Sequence, residues 1–299
     1  MELRVWIWLL SLSVLWGGSF FFAKVAVGEL GPLTVVFARI ALAALALDLL
    51  LAASGARPFR TSPPWRAFFI MGLLNNALPF SLIFWGQTQI ASGLASILNA
   101  TTPLFTLAVA HLLTEDEKID ATKVAALVVG LAGVTLLVGP DFLLVGASAW
   151  AELACLGAAL SYALAAVYGR RFKAMGIAPM EVAAGQLTAA TLLILPIMLM
   201  VDRPWLLPAP PSLEVWAALA GLALLSTALA YVLYFRILAA ADATNLLLVT
   251  LLIPFTAVLL GSAVLGEHLL TRQVAGMALI ALGLAIIDGR LARRLRPVK

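Results

Sequence analysis

Ten apolar runs, each about 20 residues long, are the feature that most restricts this chain, because that is the length of helix a bilayer core requires. They fall at 5–24, 33–53, 66–86, 91–113, 122–140, 149–169, 179–201, 213–235, 244–264 and 273–289. A water-soluble fold of 299 residues could not hide them: 63% of the chain is hydrophobic and 11% charged, against about half and about a quarter in soluble domains. That excludes a cytosolic enzyme, a secreted disulfide scaffold, a disordered chain and a nucleic-acid binder. The runs are too long for the roughly ten-residue strands of a membrane barrel. The expected class is therefore an all-α membrane protein with ten transmembrane helices, its main partner the lipid bilayer. Short connections carry breakers such as Gly31-Pro32, Pro63-Pro64, Gly139-Pro140 and Pro208-Ala209-Pro210-Pro211. The first run follows Arg4 like a signal peptide, but no small-residue cleavage site follows it, so it reads as a retained helix.

Lysine and arginine set the orientation. With the amino terminus inside, the even-numbered connections and both tails hold 15 of the 19 basic residues, the other side holds Lys24, Arg203 and Arg272, and Arg39 lies within a span. Both termini are expected in the cytoplasm of a cell bounded by this inner (plasma) membrane.

The two halves echo each other. Trp16 matches Tyr162, and Lys24 matches Arg170, at an offset of 146. Pro32 matches Pro179 and Arg39 matches Gln186 at 147; Trp65 matches Trp216, Asn75 matches Ser226 and Pro103 matches Pro254 at 151. Each copy has five helices, an odd number, so the second must cross the membrane in the opposite sense. The expected units are 1–142 and 147–290, followed by a basic cytoplasmic tail at 291–299. Inverted repeats mark secondary transporters, with the substrate site at mid-membrane where the repeats meet.

Polar residues at depth are candidate site residues. Arg39 could clamp a substrate carboxylate, or serve as a snorkelling or structurally paired cation. Asp48 is expected to reach headgroups or a basic partner, and Lys24 to snorkel. Asn75 and Asn76, Asn99, and Gln186 with Thr188 lie centrally in helices three, four and seven; they could bind substrate or join helices. Seven tryptophans lie near span ends, whereas Trp16 is central, as is Tyr162; Tyr231 and Tyr234 lie in the inner part of helix eight. Aromatic rings beside Gly17, Gly18, Ser19 and Ala163 would accept apolar or aromatic groups. Pro103 and Pro254, expected inside helices four and nine, are paired kinks suited to pivots or gates. The charge run Glu115, Asp116, Glu117, Lys118 and Asp120 is expected to end one helix and cap the next, and Glu267-His268 to do likewise at the other face. His111 is expected to be packed or interfacial. Small residues around Ala126, Gly130 and Gly133, and at Gly276 and Gly283, suit close helix contacts or a dimer face.

Several motifs carry a family resemblance. Leu15-Trp16-Gly17-Gly18-Ser19-Phe20 ends at Lys24; Thr102-Pro103-Leu104-Phe105 leads to Glu115-Asp116-Glu117; Leu252-Ile253-Pro254-Phe255 leads to Leu265-Gly266-Glu267-His268-Leu269. Over about residues 5–290 the chain resembles the ten-helix, EamA-type branch of the drug/metabolite transporter superfamily, and within it the aromatic amino-acid exporters. The family's Gly-Glu after helix four is here Thr114-Glu115-Asp116. The resemblance implies a basket-shaped, two-fold pseudosymmetric bundle that exports amino acids or other small metabolites, with helices five and ten at the periphery.

The expected function is thus alternating-access export of amino acids, aromatic ones included, or related metabolites, as a monomer or weak homodimer. No acid of the first helix follows Arg4, so uncoupled diffusion or exchange is expected, with a proton-coupled multidrug or metabolite exporter as the alternative. An intramembrane enzyme is not expected, since Gly-x-Gly-Asp, His-Glu-x-x-His and Asp-rich metal motifs are absent. No cofactor and no metal are expected.

Overall fold

The computed structural model describes residues 3–53, 63–115, 119–139, 146–240 and 243–288. Expectations placed on Arg57, Arg60, Asp116, Glu117, Lys118, Pro140 and the basic stretch from Arg290 onward lie outside the described residues. Ten helical spans follow one another: α1 (Leu3–Ala26), α2 (Pro32–Ala53), α3 (Trp65–Gln87), α4 (Ser92–Leu113), α5 (Ala121–Val138), α6 (Ala147–Ala174), α7 (Pro179–Val201), α8 from Leu213 to Ala240, α9 (Ala243–Leu265) and α10 (Thr271–Asp288). Helix is the solution lipid demands, since it satisfies nearly every backbone polar group within one segment. Eight of the spans are long and apolar enough to cross a membrane by themselves, and the other two contribute shorter apolar helices. The chain is a multi-pass membrane protein.

The helix contacts obey the two-fold relation read from the sequence. The packing of α1 on α9 is mirrored by that of α6 on α4, and α1 on α8 by α6 on α3. Likewise α2 on α8 is mirrored by α7 on α3, while α2 with α7 and α5 with α10 are their own mates. Leu9, Leu12, Ile40, Phe84, Leu98 and Leu222 fill the interior. Leu42, Leu45 and Leu49 on α2, and Val128 and Leu131 on α5, face outward, as a lipid-facing side requires. Trp6, Trp85, Trp150, Trp205 and Trp216 are exposed near span ends, consistent with interfacial anchoring.

Two close approaches depend on glycine. A methyl group on Gly17 would stand 2.5 Å from Thr256 Cβ, so α1 crosses α9 at near backbone contact. A methyl group on Gly276 would stand 2.7 Å from the Gly133 carbonyl oxygen. The small-residue faces of α5 and α10 therefore meet each other inside the chain, the close helix contact that the sequence suggested.

Candidate functional site

Matched distortions in α3 and α8 build the centre of the molecule. Both open from α- into π-helical turns, over Leu73–Ala77 in α3 and Gly221–Leu229 in α8. The offset of 151 that relates the two helices carries Asn75 to Ser226 and Asn76 to Thr227. A π turn holds one extra residue and re-aims its side chains, which is why such turns recur at functional sites. In α3 the cause is local. Pro79 has no N–H for the Asn75 carbonyl and its ring crowds that group, so the turn upstream widens. In α8 no proline is present; Phe22 of α1 presses on Gly221, where a methyl group would lie 2.8 Å from the ring.

Around these turns the sequence candidates Arg39, Asn75, Tyr162, Gln186 and Tyr231 come together. Arg39 of α2 is buried, 5% exposed, and its Nε donates to Thr227 Oγ1 at 3.0 Å. Thr227 in turn donates to the Leu222 carbonyl five residues back, at 2.8 Å. The guanidinium lies 3.9 Å above the Phe80 ring, a favourable cation–π placement. Among the described residues Arg39 has no ion pair with a carboxylate. Opposite it, Asn75 Nδ2 donates to Gln186 Oε1 at 3.1 Å, and Gln186 Nε2 donates to the Tyr231 hydroxyl at 3.3 Å. Thr227 and Tyr231, one helical turn apart on α8, join the two groups. Two aromatic rows flank them. Phe84 stacks on Phe80, which meets Tyr162 edge-on at 6.4 Å. Trp16 meets Tyr234 at 5.8 Å, and Tyr234 and Tyr231 both contact Phe235.

Other candidates fall elsewhere. Ser19 turns its hydroxyl back onto the Trp16 carbonyl at 2.8 Å. Asn76 is fully buried, and neither side-chain amide atom has a hydrogen-bond partner. Asn99 ends the first half of α4, with its Oδ1 buried and unpartnered. The prolines expected as paired kinks differ. Pro103 opens a new helical segment after a break at Ala100 and Thr101, where the Thr101 and Thr102 hydroxyls donate to the Leu98 and Asn99 carbonyls at 2.6 and 2.7 Å. Pro254 lies inside unbroken α9.

Charged residues tie helix ends together on the face of the α1–α2 connection. Lys24 does not snorkel; its Nζ donates to the Gln87 and Ile90 carbonyls at 2.6 and 2.9 Å, at the carboxyl end of α3. Glu267 accepts from Ser92 N and Oγ, at 2.8 and 2.7 Å, and so caps α4 rather than the helix that follows it. Asp202 accepts from Thr34 N at the start of α2, and Glu29 from Ser212 N at the start of α8, both at 2.7 Å. Every sign suits the helix dipole. Ser212 holds the Glu29 carboxyl below the usual carboxylate range. On the opposite face the expected local cap is present: Asp120 Oδ1 accepts from Lys123 N at 2.8 Å. His111 Nδ1 accepts from Ile119 N at 3.2 Å, so this histidine is packed at its helix end. Asp48 meets Thr188 at 3.4 Å, and its Oδ1 has no partner.

Sequence reasoning missed Thr227, Phe80 and Phe84. Thr227 adjoins Ser226, which the repeat had singled out. The phenylalanines carry no signal separating them from ordinary core residues. Among the described residues no cluster could hold a metal ion.

A family model described as the EamA-like transporter family matches residues 3–139 and again 149–288. The chain belongs to that family. It is 28% identical over 298 residues to the uncharacterized transporter YoaV of Bacillus subtilis, covering 97% of this chain and 99% of that protein. It is 29% identical to the uncharacterized inner membrane transporter YedA of Escherichia coli K12, covering 97% and 92%. A crystal structure at 19% identity superposes with a TM-score of 0.69 over 98% of this chain and 100% of the other, which shows the shared fold. The chain is thus a membrane transporter of the EamA-like type, and the names of its relatives point to transport rather than catalysis.

Proposed function

We propose that the protein exports amino acids, aromatic ones included, or similar small carboxylates across the cytoplasmic membrane by alternating access. The observation that carries this reading is Arg39: a buried guanidinium, braced by Thr227 and Phe80, with no carboxylate partner among the described residues. A buried charge of this kind is costly unless something pairs with it, and a substrate carboxylate fits its two-pronged geometry. Asn75, Gln186 and Tyr231 offer amide and hydroxyl groups for the amino end, while the rows headed by Trp16 and Phe80 receive an apolar or aromatic side chain. The units 1–142 and 147–290 rock about this centre, with both termini in the cytoplasm and the tied α1–α2 face outside. Transport runs as facilitated diffusion or exchange of the small molecule.

Proteoliposomes preloaded with labelled phenylalanine test the reading. Efflux is expected to be saturable and inhibited by free amino acids but not by their amides. Equal inhibition by amides removes the Arg39 role, and no flux of any amino acid removes the substrate class. Asp48 favours a second reading, since an intramembrane carboxyl with one unpartnered oxygen can carry a proton. Efflux that accelerates strongly under an imposed pH gradient, and loses that response in Asp48→Asn, selects proton coupling.

A further inference from the structure

The matched pairs in the two π turns are used oppositely. In α3 the first member, Asn75, bonds Gln186, while the second, Asn76, is buried with both amide atoms unpartnered. In α8 the first member, Ser226, is buried with its hydroxyl unpartnered, while the second, Thr227, bonds Arg39. Arg39 and Gln186 are themselves a matched pair of the repeat, so one repeat holds its partner by the first position and the other by the second.

Buried polar groups are nearly always hydrogen-bonded, and an orphan asks for an explanation. Here the orphans are the symmetry mates of the bonded residues. In an inverted-repeat transporter the two repeats exchange conformations as the site turns from one side of the membrane to the other. Applied to this geometry, the exchange gives Gln186 to Asn76 and Arg39 to Ser226. The required motion is small. A π turn is one residue more than an α turn, and moving that extra residue along the helix rotates those it passes by about 100°. Neither helix need unwind.

We infer that Asn76 and Ser226 are positioning residues that replace Asn75 and Thr227 as partners of Gln186 and Arg39 in the opposite-facing state, the two π turns shifting register in exchange. This rests on the central site proposed above. Each state then gives Gln186 one partner from the α3 turn and Arg39 one from the α8 turn, so on these two bonds neither state is favoured by a large margin, as reversible cycling requires.

The test uses the full-length protein with Cys155→Ala and Trp16→Cys as parent, in sealed vesicles, labelled by a membrane-impermeant maleimide from either side without substrate. Asn76→Leu with Ser226→Ala removes the partners of the opposite state only, so the ratio of labelling from the two sides is expected to change at least tenfold. Asn75→Leu with Thr227→Val is expected to shift the ratio the other way. Should Asn76→Leu fail to fold, Ser226→Ala alone, which deletes one oxygen, must shift the ratio in the same direction. Unchanged ratios in both pairs, or in Ser226→Ala where it stands alone, overturn the exchange while leaving the site intact. If the thiol introduced by Trp16→Cys labels from neither side in the parent, the central site fails and the inference with it.

Discussion

Helices α3 and α8 share one distortion at matched positions but owe it to different causes. In α3 a local element is present: Pro79 widens the turn, and the first backbone donors are satisfied by the preceding prolines, with Trp65 N on the Pro63 carbonyl at 2.8 Å and Phe68 N on the Pro64 carbonyl at 3.0 Å. Ser161 of α6 adds a hydrogen bond to the Leu74 carbonyl at 2.7 Å. In α8 no proline is present, and beside the local Ser212 cap on Val215 N the contacts come from elsewhere in the chain. Phe22 of α1 packs against Gly221 where the turn begins, Arg39 of α2 engages Thr227, and Glu29 of the α1–α2 connection caps Ser212. The same geometry thus has a proline behind it in one repeat and only packing and hydrogen bonds in the other. A turn leaning on its neighbours shifts when they move, whereas the α3 turn can shift its register only upstream of Pro79, whose ring stays where the chain puts it.

Site chemistry supplies the largest contrast. Arg39→Ala is expected to lower efflux roughly 100-fold, since a charged hydrogen bond lost is about 3 kcal/mol. Its mate Gln186→Ala loses neutral bonds of about 1 kcal/mol, or roughly fivefold. Equal losses in the flux assay would mean that the two sides of the site are not divided into a charged and a neutral half.

Packing comes next. Gly221→Ala pushes a methyl group into the Phe22 ring and is expected to cost about 2 kcal/mol, seen as a lower melting temperature in detergent with transport reduced in parallel. Pro79→Ala should separate the two properties. It restores a backbone N–H for the Asn75 carbonyl, so stability rises by about 1 kcal/mol while transport falls, because the π turn that aims Asn75 tightens. A Pro79→Ala protein that is less stable than the parent would break the claim of a local cause.

Helix ends give the smallest effect. The Glu29 carboxyl is held below its ordinary range, first by the Ser212 side chain and then by its backbone. A lowered carboxyl adds stability above the ordinary carboxylate range and loses it as pH falls through the lowered value. Melting temperatures should therefore be level near neutrality and drop slightly only in acid, with the drop absent in Glu29→Gln. Being exposed, the contact should also weaken with salt. No α3 variant at Pro63 or Pro64 should change this acid limb; a change would mean the two helix starts share a support.

The spans and the two-fold relation were legible early because both are written in local, repeated signals: hydrophobic length, and residues recurring at offsets of 146 to 151. Arg39, Asn75 and Gln186 stood out for a related reason, since a polar group at mid-span is conspicuous against Leu and Ala. Phe80, Thr227 and the capping between repeats by Glu267 and Asp202 were not legible. Their partners lie far away in sequence, 175 residues for Ser92 with Glu267, and nothing in the local composition marks such a pairing. Lys24 shows the limit most plainly: a lysine at a helix end reads as a snorkelling side chain, yet its ammonium lands on the last carbonyls of α3.

By itself, then, the chain dictated a ten-helix bundle in two copies, because burying apolar length in lipid and satisfying the backbone leave no other choice. Which polar groups meet was decided only when the copies packed together. A hydrogen bond reaches about 3 Å, and distances of that order between helices are set by how neighbouring side chains and glycines let two backbones approach. Pro79 marks its turn in the sequence; Gly221 does not, since the Phe22 ring that packs on it is far away along the chain.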